Sequence, residues 1–141
     1  MKQQIAFIFP GQGSQKIGMG ENLYKNNIIA KEFYDQADDF FNFSLSTLSF
    51  EGPNNLLKQT IHTQPAIFVN SCIISKILKK EGILPSAVCG HSLGELSALY
   101  SSGSITFIDG LNIVKTRSEA MQLAGEHNPG KMVAFIGTNK N

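Results

Sequence analysis

The sequence predicts an α/β fold built on a mainly parallel sheet, and three observations predict it. Two short apolar runs are closed by proline or glycine: residues 5–9 before Pro10-Gly11, and residues 87–89 before Gly90. The stretches between and after these runs carry helical periodicity. The pentapeptide Gly90-His91-Ser92-Leu93-Gly94 joins the second run directly to a helical segment. Strands that alternate with helices form parallel sheets, because a parallel neighbour needs a crossover long enough to hold a helix.

Each element has its own reason. Residues 5–9 read as a continuous apolar strand buried on both faces. Residues 11–15, Gly-Gln-Gly-Ser-Gln, form a loop whose glycines let backbone amides turn inward. Phe33, Ala37 and Phe40 or Phe41 recur at helical spacing, which predicts a helix over residues 29–41. The cluster Glu51-Gly52-Pro53-Asn54 is a turn. Residues 64–81 form a long helix burying Phe68, Cys72, Ile73, Ile77 and Leu78, with Pro65 in its first turn and Gly82 ending it. Residues 87–89 are the strand into the pentapeptide, and residues 95–101 the helix out of it. Thr106, with Asp109 three residues on, is a capping signal for a helix to about Gly125. Residues 131–136, between Pro129-Gly130 and Gly137, form another strand.

Composition narrows the classes. At 141 residues and 42% hydrophobic, the chain is one domain with room for a real core. A net charge of +1 with scattered lysines gives no footprint for nucleic acid. The first apolar run is too short to span a bilayer and lacks a cleavage signal, so neither a membrane anchor nor a signal peptide is expected. Cys72 and Cys89 have no metal or redox spacing and read as buried free thiols. His62, His91 and His127 make no ligand pattern, and no metal is expected.

Chemistry concentrates at Ser92. A G-x-S-x-G set between strand and helix is the nucleophile-elbow pattern, in which a sharp turn lifts the serine hydroxyl clear of the sheet. A Cβ at Gly90 or Gly94 would crowd that turn. The following helix directs its N-terminus, and its partial positive charge, at the hydroxyl. His91 is not the base, since neighbouring side chains diverge and its ring turns away from the hydroxyl. His127 reads as an exposed loop residue, and His62 as a loop residue beside the long helix. A phosphate-binding loop at residues 11–16 is excluded because Lys16 stands where the third glycine belongs.

Four blocks in order carry a family resemblance: residues 9–15, Thr63-Gln64-Pro65-Ala66, residues 90–95, and Arg117 on a later helix. The chain resembles the malonyl-CoA:acyl carrier protein transacylases of fatty acid synthesis and the related acyltransferase domains of polyketide synthases. The resemblance runs the length of this chain and covers about half of a family member. It implies an α/β-hydrolase-like large subdomain, helices on both faces of its sheet, with a ferredoxin-like small subdomain inserted. Residues 1–126 would be the N-terminal part of the large subdomain, and residues 127–141 the start of the small one, with residues 131–136 as its opening strand. The family's catalytic histidine lies in the half not represented here.

The resemblance also implies roles. Ser92 would be the acylated nucleophile, and the backbone amides of Gln12 and Leu93 the oxyanion hole. Gln64 would face the acyl pocket. His91 would neighbour the substrate without acting as base. Arg117 would pair with the free carboxylate of malonyl, for which a forked guanidinium suits better than a lysine. No cofactor is implied; the partners are malonyl-CoA and acyl carrier protein, in a bacterial cytoplasm or a plastid stroma. Two other readings compete. A generic α/β serine hydrolase explains the pentapeptide but not Arg117 or the Gln64 block. A non-catalytic fragment or interaction module would keep the sheet and the pocket without turnover.

Overall fold

Two strands, β1 (Ala6–Phe9) and β2 (Ala87–Gly90), pair in parallel with Ala6 opposite Ala87 and Phe9 opposite Gly90. The computed structural model describes residues 4–130 and 137. The register sets the C-terminal ends of both strands side by side, and the His91 amide donates to the Phe9 carbonyl at 3.0 Å. The loop after β1 and the turn after β2 therefore share one edge of the molecule. Around the strands run α1 (Glu21–Asn26), α2 (Ile28–Phe41), α3 (Leu45–Glu51), α4 (Asn54–Leu57), α5 (Thr60–Lys80), α6 (Gly94–Ser102) and α7 (Phe107–His127).

The α/β class stands, with one correction to the first strand. Phe7 and Phe9 pack with Ala98 of α6 and with Leu78 and Val88, while Ile8 is 76% exposed. Successive strand residues face opposite sides. The described helices cover only the side taken by Phe7 and Phe9, so β1 is not buried on both faces. The same alternation leaves Cys89 exposed, against the expectation of two buried thiols; Cys72 is buried.

The main core is organised by α5, whose Phe68, Val69, Cys72 and Ile73 are fully buried. Helix α7 lies close against it because Gly110 has no side chain: a Cβ there would stand 2.2 Å from the Phe68 ring. The Phe68 and Phe107 rings stack with centroids 5.9 Å apart. Gln64 lies one turn before Phe68, and Arg117 two turns after Gly110. The close crossing thus brings those two side chains together.

Two helix boundaries differ from expectation. Helix α5 begins at Thr60, so Pro65 stands in its second turn and not its first. Thr63 Oγ1 donates to the Leu57 carbonyl and His62 Nδ1 bonds the Leu56 carbonyl, tying the end of α4 into the start of α5. That continuity outweighs the bond Pro65 cannot donate to the Ile61 carbonyl. His62 is consequently helical rather than in a loop. Helix α7 carries the expected capping box, with the Asp109 amide donating to Thr106 Oγ1 at 3.1 Å and the Thr106 amide to Asp109 Oδ2 at 3.2 Å. The Thr106 hydroxyl, donating to Asp109 Oδ2 at 2.6 Å, and then the Thr106 amide hold the Asp109 carboxyl below the usual carboxylate range. The helix runs on to His127, which is exposed but closes a helix. The strand expected over residues 131–136, and with it the start of a small subdomain, lies outside the described residues.

Candidate active site

Ser92 occupies the turn between β2 and α6 with a φ of 54°, left-handed backbone in a non-glycine residue. Such strain persists only where the surroundings impose it. Here two glycines do. A Cβ on Gly90 would meet the Gly94 carbonyl carbon at 2.0 Å, and one on Gly94 would meet the Phe9 carbonyl oxygen at 2.2 Å. The turn is closed by the Gly94 amide donating to the His91 carbonyl at 2.9 Å and the Glu95 amide to the Ser92 carbonyl at 3.1 Å. The hydroxyl is left exposed at the N-terminus of α6.

This packing yields a stability prediction of opposite signs at two glycines. Gly94→Ala should destabilise the chain by about 2 kcal/mol or more, because the clash is with backbone of β1 and no rotamer relieves it. Gly125→Ala should stabilise by about 0.5–1 kcal/mol, since Gly125 is helical and open space surrounds it. Urea midpoints of the two variants against the parent check both. A neutral Gly94→Ala would refute the close approach of the turn to β1.

Four of the residues singled out from the sequence join in one hydrogen-bonded chain. Arg117 Nη2 donates to Ser92 Oγ at 3.0 Å, and Arg117 Nη1 donates to Gln64 Oε1 at 2.6 Å. Gln64 is fully buried, and its Nε2 faces Met121 Sδ at 3.2 Å and Gln12 Oε1 at 3.4 Å. Gln12 Nε2 donates in turn to Thr60 Oγ1 at 3.2 Å. Sequence reasoning passed over Thr60 and Met121. Each lies one helical turn from a residue it did identify, Thr60 before Gln64 and Met121 after Arg117, which was the available signal.

The remaining candidates sit around this chain. Leu93 is buried as the N-cap residue of α6. Among the described residues, neither its amide nor that of Gln12 donates to a protein acceptor, so both can serve an added oxygen. His91 is exposed, and its ring lies over Gly11: a Cβ on Gly11 would stand 2.9 Å from His91 Nδ1. His91 makes no hydrogen bond to Ser92, whose hydroxyl partner among the described residues is Arg117. His62 stands edge-on to the Phe43 ring, centroids 5.3 Å apart. Burial pushes the Cys72 thiol well up from its ordinary value, which suppresses its thiolate. Among the described residues no cluster of His, Cys, Asp or Glu could hold a metal, and no helix is long and apolar enough to cross a membrane. A strained serine, two free amides and a guanidinium within one hydrogen bond of the hydroxyl can support acyl transfer to serine from a substrate bearing an anionic group.

A family profile described as the acyl transferase domain matches residues 6–139. The malonyl CoA-acyl carrier protein transacylase of Bacillus subtilis (strain 168) is 43% identical over 134 residues, covering 95% of this chain and 42% of that protein. The crystal structure of the malonyl-CoA:ACP transacylase of Synechocystis sp. PCC 6803 superposes with a TM-score of 0.83 at 43% identity, covering 86% of this chain and 41% of that one. A malonyl-transacylase in complex with its type II PKS acyl-carrier protein superposes with a TM-score of 0.82 at 36% identity, over 86% of this chain and 40% of that one. This chain spans less than half the length of the curated relatives it matches.

Proposed function

The chain belongs to the acyl transferase domain family, and we propose that it is part of a malonyl-CoA:acyl carrier protein transacylase with Ser92 as nucleophile. In the first half-reaction Ser92 Oγ attacks the thioester carbonyl of malonyl-CoA. The carbon–sulfur bond breaks, coenzyme A leaves as its thiol with the proton the serine gives up, and malonyl remains as a serine ester. In the second, the phosphopantetheine thiol of acyl carrier protein attacks that ester, and its proton returns to Ser92. The amides of Gln12 and Leu93 face the oxyanion in both steps, and one such donor is worth roughly 3 kcal/mol of barrier. The proton carrier, by family resemblance, is a histidine from the part of the fold these residues do not include. The reading needs no cofactor and no nucleic-acid or membrane partner, and places the reaction in a bacterial cytoplasm or a plastid stroma.

The observation that carries the choice of malonyl is the guanidinium 3.0 Å from the Ser92 hydroxyl. In malonyl a single methylene separates the carboxylate carbon from the thioester carbonyl. A cation that binds this carboxylate must therefore stand almost against the nucleophile. Arg117 does, and a guanidinium offers two parallel donors to the carboxylate. A generic hydrolase has no use for a cation there.

Arg117→Ala in the full-length gene product tests the reading. Malonyl transfer should fall about a hundredfold or more, the usual cost of removing one partner of a desolvated charge pair. Acetyl transfer, with no carboxylate to pair, should fall far less or rise. Equal losses for the two acyl groups would make Arg117 a structural residue and overturn the carboxylate assignment.

A further inference from the structure

Building on the reading of Arg117 as the carboxylate anchor, we infer that Gln64 is the positioning residue of this site. Its buried amide holds the guanidinium over Ser92 without neutralising it, and ties that guanidinium to the Gln12 loop. A guanidinium has donors only, so the atom of Gln64 that meets Arg117 Nη1 at 2.6 Å must be its oxygen. The amide nitrogen is thereby turned the other way, toward two acceptors, Met121 Sδ and Gln12 Oε1. With its own oxygen committed to Gln64, Gln12 is left its nitrogen for Thr60 Oγ1. One donor-only group thus orients every amide out to the loop that carries the proposed oxyanion donor.

Two long helices frame this chain. Thr60 and Gln64 are one turn apart on α5, and Arg117 and Met121 one turn apart on α7. Gln64 has no exposure to water that could replace a lost partner. The residue type matters as much as the position. A carboxylate at 64 would hold Arg117 equally well but would cancel its charge and occupy its donors. A neutral oxygen fixes one nitrogen and leaves the full positive charge, and the second nitrogen, for the acyl group.

The test measures kcat and KM for malonyl and acetyl transfer in the full-length gene product. Gln64→Glu should lower the malonyl-over-acetyl preference about a hundredfold, mainly through KM, because the new carboxylate competes with the substrate's. Gln64→Leu should lower it about tenfold, the loss of one hydrogen bond to a charged group. In an Arg117→Ala background neither change should move the preference further, since residues acting as one unit are not additive. Equal losses for both acyl groups, or the same shift with and without Arg117, would make Gln64 structural and overturn the inference. Gln12→Leu, at an exposed side chain, keeps the test open if a buried variant does not fold. A preference unchanged by it would overturn the link to the loop. An Arg117→Ala enzyme with undiminished preference for malonyl would instead defeat the carboxylate reading itself, leaving a result distinct from failure of Gln64.

Discussion

Ser92→Ala in the full-length gene product is expected to lower malonyl transfer by about six orders of magnitude and to abolish acylation by malonyl-CoA. Loss of a nucleophile removes the covalent route altogether, and what remains comes from binding and oxyanion contacts. The local structure gives the substitution no other reason for so large an effect. Ser92 is exposed, and its hydroxyl makes one bond among the described residues, to Arg117. The competing nucleophile is Cys89, an exposed thiol three residues earlier on β2, whereas Cys72 is buried with its thiolate suppressed. Both Cys89 and Ser92 fall on one tryptic peptide, residues 81–115, so peptide mass alone does not separate them. Fragment ions, or the resistance of an ester to neutral hydroxylamine that cleaves a thioester, do. A malonyl label that stays on Cys89 in the Ser92→Ala protein would sink the nucleophile assignment.

What the sequence made legible was local in origin. The Thr106–Asp109 capping box, the start of α7 and the crowding of Gly90 against Gly94 each depend on residues a few positions apart. Spacing alone carried their chemistry. The short helices α1, α3 and α4 were not legible. Helix α1 has no side-chain cap; α3 does carry a local one, Ser44 Oγ accepting from the Thr47 amide, but it is also tied to Asp38, which accepts from the Ser46 amide across eight residues. Pro65 carries a first-turn signal, which points to a later start for α5 than Thr60. Contacts from Thr63 and His62 back to α4 carry the helix past that signal. The exposure of Ile8 and Cys89 depends on which helices reach the sheet, and no apolar run reports that. Pattern and resemblance single out Ser92, Gln12, Gln64 and Arg117, which the fold brings into one hydrogen-bonded chain. That Arg117 reaches Ser92, and that Met121 and Thr60 complete the chain, follows from the α5–α7 crossing at Gly110, which lies far in sequence from what it aligns.

A polypeptide of these 141 residues is expected to transfer malonyl several orders of magnitude more slowly than a chain extended to the full length of its relatives. A serine hydroxyl is a weak nucleophile near neutral pH until an adjacent base takes its proton. Among the described residues none of the three histidines supplies that base. His91 lies over Gly11, His62 against Phe43, and His127 at the exposed end of α7. Arg117, the group that does touch the hydroxyl, is a donor and cannot accept its proton. Free amides and a positive binding site can still leave a residual acceleration of about a thousandfold over water, so the rate should be low rather than zero. The comparison is made on samples with matched helical circular dichroism, so that a difference reports the missing base and not an unfolded sheet. Comparable rates from the two polypeptides would place a working base within these residues. His91, the only imidazole adjacent to Ser92 in sequence, would then have to rotate away from Gly11 to reach the hydroxyl, and its exclusion as base would be the first claim to fall.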